Sequence, residues 1–449
     1  MIFKNLLFKL GIDEAIIYTL SARLIQGLGS LLVIFGIAKF LNITEQGYYY
    51  TFGSILALQM FFELGLSSII TQFAAHEIVH LNWKDKYILE GDIVKKSRLS
   101  SLLHFCVKWF SSLALFLFLF LLLVGYVFFE YFGKLGEGVS WKGPWLILTF
   151  ATGCNLIVTP LLSFFEGIGK VKNVARLRMY QQFIQLFLLF ASLLGGLKLY
   201  SGGIAAFGSF LVVSVWILSK GQMGVIRSLW KEKSVNYIIS WKQEIFPFQW
   251  RIAISWLSGF FMFYLFTPII FATEGAIVAG QMGITLAALT GITSLIMSWI
   301  NTKVPVMSGF ISKRDFLSLD KLFFRTLYQA LSVSILVLLF FVLSLNYLLV
   351  YGYNVADRFL GIKEISLLSI TTFINQIVFY LATYLRCHKK EPFMINSVIM
   401  AILISISTVV LGNKFGISGI IYGYFVLTGF LYFPWIIYIF KQKRNLWHR

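Results

Sequence analysis

The sequence predicts an all-α polytopic membrane protein of about twelve transmembrane helices with both termini in the cytoplasm. The prediction rests on two observations. Twelve long apolar runs are separated by short connections, and Lys and Arg crowd into every second connection. Composition points the same way, because 58% hydrophobic and 18% aromatic residues against 13% charged, with a mean hydropathy of +0.82, are incompatible with a soluble surface. No separate water-soluble domain fits this balance.

Along the chain, the first fourteen residues place Phe3, Leu6, Leu7 and Leu10 at helical spacing beside Lys4 and Lys9, which reads as a short interfacial helix. A cleaved signal peptide is disfavoured, since the apolar run begins near Ile16 and lacks an A-x-A-like exit. Spans are then expected at 16–40, 47–72, 103–129, 144–166, 180–199 and 204–219. A second set follows at 248–272, 276–300, 326–350, 364–386, 393–412 and 416–440. Most reach the about 20 residues that cross a bilayer. Connections assigned to the inside hold 28 basic residues and those assigned to the outside hold five, which fixes the orientation by the positive-inside rule. The net charge of +19 therefore faces a leaflet rich in anionic lipid, a simpler partner than nucleic acid. The three cysteines, Cys106, Cys154 and Cys387, show no CxxC spacing, and neither a disulfide nor a structural zinc is expected.

The outer connections are short, the longest running from about Glu130 to Gly143. Membrane polymerases and ligases that join sugar chains need a larger outer loop for donor and acceptor, so an outer-face enzyme is disfavoured. Chemistry, if any, is expected between helices, as in a transporter. A weak internal echo supports two lobes: Glu45 and Glu274, each in a short charged turn, fall 22 and 23 residues beyond Arg23 and Arg251. The expected division is an N-terminal six-helix lobe at 1–220, a cytoplasmic linker at 221–246 and a C-terminal six-helix lobe at 247–449, related by a parallel repeat.

Two stretches carry a family resemblance. GYYYTFGSILALQMFFELGLSSIITQFAAHE, from Gly47 to Glu77, resembles the second-helix region of bacterial polysaccharide and O-antigen flippases. GQMGITLAALTGITSLIMSWINTKVPVMSGFISKRD, from Gly280 to Asp315, is similar to their eighth-helix region. These flippases share a superfamily with multidrug and toxic-compound extruders and lipid II flippases. The resemblance implies a bacterial inner-membrane protein that moves a polyprenyl-pyrophosphate-linked oligosaccharide, an O-antigen or capsule repeat unit, to the outer leaflet by alternating access. It also implies association with polysaccharide assembly proteins, H+ or Na+ as coupling ion, no cofactor and no catalysis. The rival of the same fold is a drug or metabolite extruder.

Three charged residues within spans bear on that expectation. Arg23 lies about 10 Å below the inner end of the first span at 1.5 Å per residue. It reads either as a clamp on the substrate pyrophosphate, using paired guanidinium donors, or as a snorkelling residue. Arg251 lies near the inner end of the seventh span, where snorkelling is the simpler reading and headgroup binding the second. Glu63 is deeper, near the middle of the second span. It reads as a coupling-ion carrier, as the partner of Arg23, or as a neutral buried acid. Gln26, Gln59, Asn155, Thr159, Asn375 and Gln376 either line a hydrated cavity or tie helices together. Pro160 and Pro268 read as fixed kinks before hinges.

One motif points elsewhere. His76-Glu77-Ile78-Val79-His80 is a formal H-E-x-x-H, the spacing that sets two zinc ligands and a general base on one helical face. A catalytic zinc needs a third protein ligand, and no companion motif supplies one. A membrane metallopeptidase is accordingly the remote alternative, and the pentapeptide is read as a chance match at a helix end.

Overall fold

The computed structural model describes residues 14–85, 88–133, 138–230, 244–388 and 390–448. The interfacial helix expected over the first fourteen residues falls almost wholly outside them. Ten helical stretches among the described residues are long and apolar enough to cross a membrane. In chain order the first elements are α1 (Glu14–Phe40), α2 (Ile43–Leu56) and α3 (Leu66–Ile78), with a 3-10 turn at Ala57–Gln59 and a single turn at Met60–Glu63 before α3. A hairpin of β1 (Leu81–Asp85) and β2 (Ile88–Gly91) leads to α4 (Ile93–Phe132), α5 (Lys142–Gly167), α6 (Val171–Leu194), α7 (Tyr200–Leu218) and α8 (Lys220–Trp230). Next come α9 (Phe246–Phe263), α10 (Phe266–Glu274), α11 (Ala276–Asn301), α12 (Val304–Ser312), α13 (Phe316–Val350) and α14 (Ile362–Cys387). The last are α15 (Met394–Val426) and α16 (Phe433–Trp447), joined by a π-helical segment at Leu427–Tyr432.

The final apolar stretch, Met394–Trp447, contains a non-helical turn at Gly416 with φ 60° and ψ −147°. That turn separates the two spans expected at 393–412 and 416–440. A glycine is needed there, because the left-handed region penalises a Cβ. Glu274, at the end of α10, accepts the backbone N–H of Ile417, so an acid faces the positive end of the last span. Glu45 acts differently, since it and Asn42 cap each other's backbone N–H at 2.9 and 2.6 Å and so open α2 with a reciprocal box. The two acids of the internal echo thus serve unlike purposes.

Several boundaries differ from expectation, among them the start of α13 at Phe316, ten residues before the expected span. α4 starts at Ile93, about ten residues before the expected span, and its first turns carry Lys95, Lys96 and Arg98. α6 runs over Val171–Leu194, where 180–199 was expected. Its end is set by Gly195 and Gly196, the latter at φ 74°, with Leu197 N–H returning to the Ser192 carbonyl at 2.9 Å. Lys198 therefore sits in the turn, and Arg176 and Arg178, counted as loop residues, lie on the helix. The two-stranded antiparallel hairpin, with Leu81 opposite Gly91 and Trp83 opposite Leu89, is an addition to the all-α plan.

The chain forms two compact units. The first comprises Met1–Gly29, Leu56–Phe129 and Ser140–Trp256; the second comprises Ser30–Ile55, Glu130–Val139 and Leu257–Arg449.

In the first unit, close helix contacts rest on small residues, as membrane packing without a hydrophobic drive between helices requires. A Cβ at Gly167 would lie 2.6 Å from the Thr71 carbonyl oxygen, and one at Gly203 would lie 3.1 Å from the Leu148 nitrogen. Trp145 is buried and donates its indole N–H to the Leu121 carbonyl at 3.2 Å. In the second unit, α11 presents Ala276, Gly280, Gly283 and Gly291 toward the second half of α1 and toward α2. A Cβ at Gly47 would lie 2.5 Å from the Ala276 carbonyl carbon, and one at Gly280 would lie 2.8 Å from the Gly47 nitrogen. Gln46 locks the seam: its amide donates to the carbonyls of Gly280 and Arg358 at 3.0 and 3.1 Å and accepts from the Arg358 guanidinium at 3.2 Å.

Candidate functional site

The strongest irregularity at membrane depth lies in the first unit. Immediately after Glu63, Leu64 and Gly65 both adopt left-handed backbone conformations, at φ 46° and 71°, and divide the second span. Broken helix within a bilayer is tolerated only where it is buried in protein or lines a water-filled cavity. Leucine in that conformation costs roughly 1–2 kcal/mol, strain of the kind that gathers at functional positions. Ser67 donates its hydroxyl to Glu63 at 2.6 Å, and Thr71 donates to the carbonyls of Ser67 and Ser163 at 3.2 and 3.1 Å. The break is therefore polar, half-buried and tied to α5. Gln59 lies just before it, in the 3-10 turn. No proline announces the break in the sequence; Gly65 beside an intramembrane acid is the one signal that marks it.

Arg23 and Gln26 fall on α1, and Arg251 falls on α9; the side chains of all three lie outside the described residues. Asn155 donates to the carbonyls of Ala151 and Ala206, both at 2.9 Å, which ties α5 to α7. Thr159 donates back to the Asn155 carbonyl at 2.8 Å. In the second unit, Asn375 donates to the Tyr424 hydroxyl at 2.8 Å, and Gln376 accepts from Ser334 while donating to Thr293 at 3.3 Å. Asn155, Asn375 and Gln376 thus act as interhelical ties. Of the two prolines, Pro160 sits buried inside a continuous α5. Pro268 follows an interruption at Tyr264–Leu265, where the missing proline N–H leaves the Tyr264 carbonyl without its helical partner.

A further cation emerges that the loop assignment concealed. Arg176 lies about 8 Å along α6 from Val171 at 1.5 Å per residue. Its guanidinium stands 4.9 Å from the centroid of Tyr18 on α1. Its Nε is buried and makes no hydrogen bond among the described residues. The neighbouring Arg178 behaves otherwise, pairing with Glu166 at 3.2 Å. At the same end of this unit, Lys170 donates to Gln222 at 2.8 Å and lies over the Trp83 ring, and burial lowers its ammonium below the usual lysine range.

The H-E-x-x-H pentapeptide has a structural explanation. α3 ends at Ile78, so His80 stands in the turn beyond it, and both histidines are exposed. Glu77 is 2% exposed and faces the protein, where it meets Lys95 at 3.2 Å and Arg98 at 2.9 Å. Arg98 continues to Glu244 at 2.5 Å, at the start of the seventh span. No group of three or more His, Cys, Asp or Glu able to hold a metal occurs among the described residues. Replacing His76 and His80 together by Ala is expected to change stability by less than about 0.5 kcal/mol, as for exposed surface sites. Glu77→Gln strands two cations and is expected to destabilise by about 2 kcal/mol, less than a fully buried pair because Arg98 keeps Glu244. Thermal unfolding of the purified protein with metal analysis decides this. A stoichiometric zinc lost in the double histidine variant would restore the metallopeptidase.

No family model and no curated protein matches the chain. Solved structures do resemble it. One is the MATE multidrug transporter DinF-BH, at a TM-score of 0.59 and 12% identity over 97% of this chain and 96% of that one. Another is an inward-facing multidrug resistance MATE family transporter of the MOP superfamily, at 0.57 and 14% over 93% and 98%. A third is a MOP superfamily transporter from Pyrococcus furiosus, described as having a reverse polarity of its binding pocket, at 0.54 and 13% over 96% and 95%. The chain has the fold of MATE family transporters of the MOP superfamily.

Proposed function

We propose that this protein is a membrane transporter that carries an anionic lipid-linked oligosaccharide across the bacterial inner membrane by alternating access. Arg176 is the observation that carries the reading. It is a permanent cation on a span, near the inner end, backed by an aromatic ring and without an acidic partner among the described residues. Such a group suits a pyrophosphate arriving from the inner leaflet, because a guanidinium offers paired donors and keeps its charge. Arg23 and Arg251 are, by their place in the sequence, the further candidates for headgroup binding, and Glu63 at the broken span is the candidate coupling group for H+ or Na+.

A second reading, extrusion of drugs or metabolites, is favoured by one observation: two of the solved structures with this fold are described as multidrug transporters. A cationic drug calls for acids and aromatic rings, which makes Glu63 its binding group. Deleting the gene separates the two. Accumulation of lipid-linked intermediates with loss of surface polysaccharide is expected, whereas unchanged intermediates with heightened drug susceptibility would assign the protein to extrusion. Topology is testable in the same cells. Cys387, at the end of α14, is expected to react with impermeant thiol reagents only from the cytoplasmic side. Labelling in intact, outer-permeabilised cells would overturn the orientation.

A further inference from the structure

A cavity of about 560 Å3 lies in the second unit, where the start of α13 meets the end of α16, away from every polar group discussed above. Arg314, Phe316, Leu317, Asn445 and His448 line it, together with an ion pair and a capping acid. Asp320 is already paired, and Asp315 is engaged as a helix cap. Asp320 receives Arg444 through Nη2 at 2.6 Å and Nε at 3.2 Å, and accepts the Tyr384 hydroxyl at 2.5 Å. Asp315 caps α13 by accepting the Ser318 N–H at 3.0 Å. The Arg314 guanidinium makes no hydrogen bond or ion pair with any described residue, and it lines the cavity together with the exposed amide of Asn445.

Arg314 is also held at a cost. Its φ is 56°, the left-handed conformation that closes α12, with Arg314 N–H on the Ile311 carbonyl at 3.1 Å and Asp315 N–H on the Phe310 carbonyl at 3.0 Å. Glycine is the ordinary occupant of that position, so an arginine there is retained against its backbone preference. Phe316 and Leu317 supply the apolar part of the lining: Phe316 stacks on His448 at 4.3 Å and 13°, and Leu317 is 86% exposed. A guanidinium without a partner among the described residues, beside an exposed leucine, suits an anion attached to an apolar or glycerol body.

We propose that this cavity binds a phosphate ester, with Arg314 and Asn445 as its donors. The same chemistry is offered by the headgroup of an anionic phospholipid and by a soluble phosphate ester. The full chain in nanodiscs of phosphatidylcholine is the test, with the thermal unfolding midpoint and native mass spectrometry of retained lipid as readouts. One arm adds phosphatidylglycerol to the disc and the other adds glycerol 3-phosphate to the solution. Stabilisation by the first alone assigns the site to lipid, and stabilisation by the second assigns it to a soluble ester.

Arg314→Gly is the deciding variant. It relieves the left-handed backbone, so the protein should be at least as stable as wild type in pure phosphatidylcholine, yet lose about tenfold in apparent affinity, the loss of one charge-assisted contact. Lys220→Gln, on α8 of the other unit, removes a basic surface charge and should leave affinity unchanged. Absence of any response to either ligand, or equal binding by Arg314→Gly and wild type, would overturn the site.

Discussion

Gly47→Ala is expected to lose most of the folded protein, while Gly53→Ala on the same helix is expected to be neutral or slightly stabilising. The two glycines lie six residues apart on α2, yet their surroundings differ. A Cβ at Gly47 would sit 2.5 Å from the carbonyl carbon of Ala276 and 2.9 Å from its Cα. These are backbone atoms of α11, which cannot turn aside as a side chain does, so the helices must separate. Separation also breaks the buried bond of Gln46 to Gly280 and its partly buried bond to Arg358. Overpacking costs typically 1–3 kcal/mol, and loss of one buried hydrogen bond adds about 1–3 kcal/mol. Gly53 has nothing within 4 Å of its Cβ position, so alanine there gains up to about 1 kcal/mol of helix propensity. Membrane abundance and thermal unfolding of the two variants give the answer. Equal stability would mean that the glycine seam does not hold the hairpin tip to α11.

The spans were legible because hydropathy is additive along the chain and a bilayer accepts only stretches of sufficient length. What the sequence concealed depends on features that hydropathy does not weigh. Arg176 was read as a loop residue because a cation lowers the local hydropathy. Arginine is nonetheless a good helix former whose stem packs along apolar surface, so α6 begins nine residues before the expected edge. The break at Leu64–Gly65 was invisible for the opposite reason: Leu64 is apolar, and only its backbone conformation sets it apart. Glu77 shows a third way in which pattern misleads. Its place in H-E-x-x-H suggests chemistry, whereas its carboxylate ties the end of α3 to the start of α4 through Lys95 and Arg98. The assignment of 30–55 to the second compact unit depends on Gly47 meeting Ala276 and Gly280, contacts across more than 200 residues that no local pattern encodes.

The largest effect on transport is expected from the intramembrane charges, and the readings of anionic and cationic cargo predict opposite outcomes. If Arg176 receives an anionic headgroup, Arg176→Ala should reduce export of surface polysaccharide by at least about tenfold, the worth of one charge-assisted contact, with normal membrane abundance. Arg176→Lys should restore part of it, since an ammonium keeps the charge and loses the planar fork. Arg23→Ala and Arg23→Lys should repeat the pattern if that residue clamps the pyrophosphate. Glu63→Gln tests the coupling role, because it keeps the acceptor for Ser67 and removes the proton site. It should lower the rate of export without altering binding of the lipid-linked substrate. A static Arg23 and Glu63 pair predicts something else: each single variant strands a charge and loses abundance, while Arg23→Ala with Glu63→Gln recovers it. Under cation extrusion, Glu63→Gln abolishes transport and Arg176→Ala leaves it intact. Export, substrate binding and membrane abundance measured across these variants separate the three accounts, and normal polysaccharide export in Arg176→Ala would remove the basis for anionic cargo.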